Sequence, residues 1–144
     1  MAERHVNMKR ELPEAYRALA ALTRSAGQLG DGLDEIVKLV ASHANECAYC
    51  IATHTERALK DGQDQARLDE LPRWRESDAF TARERAAMAL TETLTITDRL
   101  NDVGDELARA AEEFDDEELA RLVAHIVAIN AWNRSAIAGG LPPG

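Results

Sequence analysis

The sequence predicts an all-α protein, folded as a single-domain helical bundle. Alanine is the commonest residue and proline is rare, which favours close-packed helices. Aromatic residues, which sheets want beside β-branched ones, make up only 4% of the chain. Apolar residues recur at helical spacing between clear stop signals. A length of 144 residues fits one ordinary domain and leaves no room for a second core, so the domain is expected to span 1–144.

The elements follow in order. Pro13, tolerated in a first turn, opens a helix that runs to about Ser25 and is ended by the glycines between Gly27 and Gly32. Leu33, Ile36, Val37, Val40, Ala41 and Ala44 then form an amphipathic, core-facing stripe. Asn45 and Glu46 mark a break. A further helix runs from Cys47 to about Lys60 and is closed by Asp61-Gly62, and a short one covers Gln65 to Leu71 before Pro72. Thr81 and Glu84 have the spacing of a capping box, which opens a helix to about Ile96. Asn101 to Gly104 begins another that ends near Glu113. The acidic run Glu112 to Glu118 reads as a junction, with Asp115 and Glu118 repeating the capping spacing. The last helix, Glu117 to Ala138, carries Leu119, Leu122, Val123, Ile126, Val127, Ile129 and Trp132 over more than half its circumference. One small domain can hardly bury all of that, so an oligomer is expected.

Lysine and arginine number 17 against 26 acidic residues, a formal net charge of −9, so a polyanion such as nucleic acid is not an expected partner. No stretch approaches the length of an apolar membrane span and the N-terminus lacks the apolar core of a signal peptide; a cytoplasmic protein with no membrane partner is the expectation.

The only two cysteines, Cys47 and Cys50, lie three residues apart. In a reducing compartment so short a loop makes a poor structural staple, which leaves redox or metal chemistry. On a helix, Cys47, Cys50, Ile51, His54 and Ala58 share one face. Residues three apart on a helix have Cα atoms roughly 5 Å apart, within reach of a disulfide. Cys50 and His54 are i and i+4, close enough for the imidazole to take the thiol proton. Three readings compete: a packed pair of small hydrophobes, a zinc site completed by His43 or Glu46, and a thiol-disulfide pair. Three ligands on one rigid helix converge poorly on a tetrahedron, so the redox pair is preferred and no metal is expected.

At these residues the chain resembles the alkylhydroperoxidase D-like branch of the carboxymuconolactone decarboxylase superfamily. The resemblance rests on Glu35, the Cys47-Ala48-Tyr49-Cys50 segment with His54, Trp74-Arg75-Glu76-Ser77 with Phe80, Thr81 to Ala87 with Thr91-Glu92, and Ile129 to Arg134. It implies an all-helical, cofactor-free protein that assembles as a multimer, a trimer or hexamer. It further implies a peroxidase in which Cys50 attacks a hydroperoxide, Cys47 closes the disulfide, and Glu35 and His54 relay protons. An unidentified thiol or disulfide reductant would restore the pair.

The residues themselves agree in part. A helix dipole favours a thiolate in the first turn and points to Cys47, whereas the imidazole at i+4 points to Cys50; the specific base is the stronger influence. Relatives often have glycine before the first cysteine and histidine between the two, where this chain has Glu46 and Tyr49. A carboxylate at Glu46 is expected to raise the Cys47 pKa. Glu35 lies off the apolar stripe, and without the resemblance would be read as a solvated surface charge. His43 and His125 are read as packing or hydrogen-bonded residues, and Asn130 and Asn133 as buried or interfacial groups in need of partners. Two other functions are open: a muconolactone decarboxylase, against which the cysteines count, and a non-enzymatic redox-sensing oligomer.

Overall fold

The computed structural model describes residues 2–143, and most of them are helical. Eight α-helices follow one another: α1 (Met8–Glu11), α2 (Pro13–Ser25), α3 (Leu33–Ala44), α4 (Ala48–Lys60), α5 (Gln65–Asp69), α6 (Ala82–Thr95), α7 (Val103–Ala110) and α8 (Asp116–Ala138). Two 3₁₀ segments, Leu71–Glu76 and Thr97–Asp102, join α5 to α6 and α6 to α7.

The ends of these helices have local causes. Pro13 occupies the first turn of α2. Thr81 and Asp115 both close reciprocal capping boxes, with Glu84 and Glu118, as their spacing predicts. The α2–α3 loop turns through Gly27, Gly30 and Gly32 at positive φ, a conformation that side chains disfavour. Helix α5 ends before Pro72 as expected, at Asp69 rather than Leu71, and Pro72 opens no loop. It sits at the start of a 3₁₀ segment, where its missing N–H costs nothing, and the segment carries Trp74 inward. The indole N–H of Trp74 donates to Glu92 Oε1 at 2.7 Å, and Arg85 donates to the carbonyls of Trp74 and Ser77 at 3.0 and 3.2 Å. Trp74, Phe80, Glu84 and Glu92 therefore hold the 65–81 segment onto α6.

Helix α3 is the centre of the bundle and packs on α4, α6 and α8. Its Leu33, Ile36, Val37, Leu39 and Val40 meet Met88 and Leu90 of α6 and Leu122 and Ile126 of α8 in one buried core. Burial of a side chain of this size stabilises by roughly 1.5–3 kcal/mol, so these few residues dominate the folding energy. Cys47, Cys50 and Ala136 form a separate small buried cluster where α4 meets α8. Among the described residues no helix is long and apolar enough to cross a membrane.

Candidate functional site

The site begins at the turn between α3 and α4. Glu46 takes a positive φ of 53°, which reverses the chain within two residues. The amide of Cys47 donates to Ser42 O at 3.0 Å. Asn45 locks the turn to α8: its Nδ2 donates to Asn130 Oδ1 and to Asn133 Oδ1, both at 2.9 Å. Asn133 in turn donates to Ser42 Oγ at 3.0 Å, and Asn130 to Thr95 Oγ1 at 3.0 Å. The partners expected for Asn130 and Asn133 are therefore found within the chain. The role of Asn45 was hidden, because in sequence it read only as a helix break.

Cys47 is the N-cap of α4, and its Sγ accepts the amide N–H of Cys50 at 3.3 Å. The two cysteines are joined as a disulfide with Cα atoms 5.2 Å apart. Cys50 lies in the first turn and Cys47 just outside it, so the helix dipole acts on Cys50 as well. The opposition expected between dipole and imidazole is thereby removed. Glu46 points to solvent. Among the described residues no group of three or more His, Cys, Asp or Glu side chains gathers as a ligand set.

One turn beyond Cys50, His54 is buried, and its Nδ1 lies 2.7 Å from Glu35 Oε2. Glu35 is only 7% exposed, so it is not the solvated surface charge that its place off the apolar stripe would suggest without the resemblance. The α3 stripe is wider than its apolar letters suggest, because α4 covers the flank on which Glu35 stands. Lys38 Nζ completes the cluster, 3.4 Å from Glu35 Oε1. Burial by itself would raise the Glu35 pKa. The hydrogen bond and charge of His54, with the charges of Lys38 and Arg57, outweigh burial and hold the carboxyl below its ordinary value. An ionised Glu35 accepts the proton on Nδ1, which leaves Nε2 as the basic nitrogen of the ring.

A cavity of about 460 Å³ opens on Cys50 and His54 between α2, α4 and α8, walled by Tyr16, Ile129 and Trp132 among others. Tyr16 and Trp132 meet edge to face with ring centroids 5.0 Å apart, and the indole N–H donates to Thr23 Oγ1 at 2.8 Å. Glu35 lines a second cleft, of about 410 Å³, which shares Lys38 and His125 with the first. His125 is buried and pairs through Nε2 with Gly27 O at 2.8 Å, the hydrogen-bonded role expected of it. His43 is half-buried, and burial lowers its pKa.

The profile of the carboxymuconolactone decarboxylase family matches residues 10–93. An uncharacterized protein of Bacillus subtilis (strain 168), YdfG, is 40% identical over 107 residues, which are 74% of this chain and 72% of that one. A crystal structure of a protein of unknown function from Agrobacterium tumefaciens, assigned provisionally as the antioxidant defence protein AhpD, superposes with a TM-score of 0.90 at 29% identity and covers 99% of both chains. The debrominase Bmp8 superposes with a TM-score of 0.80 over 92% of this chain and 72% of its own; at 18% identity the likeness is one of fold.

Proposed function

The chain belongs to the carboxymuconolactone decarboxylase family, and from that premise we propose that it is a thiol-dependent peroxidase working through a Cys47/Cys50 dithiol-disulfide cycle. The observation that carries the reading is the buried His54–Glu35 pair one helical turn from Cys50, at the wall of a cavity large enough for a small organic molecule.

In the reduced form, His54 Nε2 takes the Cys50 proton while Glu35 steadies the imidazolium through Nδ1. The thiolate attacks the terminal oxygen of the hydroperoxide. The O–O bond breaks, two electrons pass from sulfur to peroxide, and the departing alkoxide takes a proton from His54 to leave as an alcohol. Cys50 is now a sulfenic acid. The Cys47 sulfur attacks it, the S–S bond forms, and the hydroxyl leaves as water with the proton from Cys47. A dithiol, or two thiols, supplies two electrons and two protons to open the disulfide again. The short loop and the shared helix end keep the two sulfurs in range throughout.

Stopped-flow measurement of thiol loss against an alkyl hydroperoxide tests this. The reduced protein should react at least about 10²-fold faster than dithiothreitol at the same thiol concentration, the scale of general acid-base assistance. A rate equal to that of the free dithiol would leave a disulfide that merely reports oxidation.

A further inference from the structure

We propose that the cavity at Cys50 is built for an anionic amphiphile, so that the preferred hydroperoxide carries a carboxylate at the end remote from the peroxide group. The proposal rests on the peroxidase reading for the reaction, but not for the binding. The chain has 26 acidic residues against 17 basic ones, yet Arg24, Lys38 and Arg57 line this cavity and no aspartate or glutamate does. A random patch of so acidic a protein would carry the opposite sign.

The cations gather at one end. Along α4 the cavity is lined by Tyr49, Cys50, Thr53, His54 and Arg57, one continuous face. Arg57 is seven residues past Cys50, which places it about 10 Å farther along the helix axis. Arg24 and Lys38 border both this cavity and the cleft containing Glu35, so they too stand at the end away from Cys47 and Ala136. Lys38 is already engaged by Glu35. Arg24 and Arg57 have no carboxylate within ion-pair distance among the described residues; the Arg57 charge is felt by Glu35, but both guanidinium groups keep their hydrogen-bond donors for an incoming anion. Facing Thr53 and His54 of α4, the cavity is walled by Ala128, Ile129 and Trp132 of α8 with Ala20 of α2, an apolar side that suits an alkyl or aryl body. A ligand anchored by its carboxylate at Arg24 and Arg57 would therefore lay its far end beside Cys50.

Octanoate and its neutral counterpart octanamide probe the cavity without any peroxide chemistry, by isothermal titration calorimetry. Octanoate should bind about tenfold more tightly at low ionic strength. That advantage should shrink towards unity in about 0.5 M salt and in the double variant Arg24→Gln/Arg57→Gln. Equal affinities, no binding of either compound, or an advantage that survives both the salt and the double variant would overturn the proposal. In parallel, kcat/KM for 8-hydroperoxyoctanoate should exceed that for its methyl ester by a similar factor, with the ratio falling in the same variant. A binding preference with neither hydroperoxide reduced would keep the anion site and sink the peroxidase reading. Rapid reduction of acid and ester alike, with no binding preference, would do the reverse.

Discussion

Cys50 and Cys47 share a disulfide and so look equivalent, but their surroundings separate them. Cys50 has a histidine one turn away on its own helix and borders the cavity; Cys47 caps the helix and does not line the cavity. Cys50→Ser should abolish peroxide turnover. Cys47→Ser should leave one burst of peroxide reduction that halts at sulfenic acid, visible by mass spectrometry after dimedone trapping; the opposite pattern would make Cys47 the nucleophile. At Glu35 the test is charge without shape. Glu35→Gln should slow peroxide reduction by roughly 10²-fold, His54→Gln should cost at least as much, and the double variant should be little worse than either, as groups that act as one unit behave. Equal rates for Glu35→Gln and wild type across the pH range would remove Glu35 from the mechanism.

At the scale of elements, the turn between α3 and α4 and the cap of α6 each hold a testable energy. Asn45 bridges to two α8 side chains, and Asn45→Ala leaves the buried Oδ1 of Asn133 without its donor, whereas Asn130 Oδ1 keeps the Arg134 guanidinium. The loss should be about 1–3 kcal/mol in urea unfolding; an unchanged midpoint would show that the turn is held by its backbone bonds alone. Glu84 both completes the α6 capping box and pairs with Arg67. Burial would raise its pKa, but Arg67 and Thr81 prevail and hold it below the ordinary value of 4.5. A carboxyl so lowered contributes stability that is present above its unfolded pKa and is lost as pH falls through the folded one. The thermal midpoint should therefore drop as pH falls below about 4.5, and Glu84→Gln should be less stable at neutral pH but flatter in acid. An identical acid slope in wild type and variant would show that the pair does not report on folding.

For the whole molecule, the outer face of α8 remains unfinished. Val127 is 52% exposed and Ile137 50% exposed on a helix whose other face fills the core. We propose that copies of the chain associate into a trimer or hexamer, the number resting on the resemblance and the association on this face. Light scattering at micromolar concentration should return a multiple of 15.8 kDa, and Val127→Lys with Ile137→Lys should shift it towards that mass. A wild-type monomer would refute association.

What the sequence by itself determined is what local chemistry controls. Capping residues, glycines at positive φ and the 3.6-residue apolar period set α2, α3, α4, α6 and α8 to within a residue or so, and placed both thiols and His54 on one face of α4. It missed what depends on neighbours remote in the chain. The short helix α1 has no apolar face to betray it, and the 3₁₀ segment after Pro72 exists because Trp74 finds Glu92 across the bundle. Glu35 stands between the two. Its letter and its place off the stripe read as surface, and only its matched spacing to Cys47 in the resemblance pointed inward. Packing α4 against α3 decided the matter, because a carboxylate can be buried once a histidine and a lysine from the same contact compensate its charge. The cavity and its cationic end are likewise tertiary, since Arg24, Lys38 and Arg57 come from three helices whose charges meet only when the bundle closes.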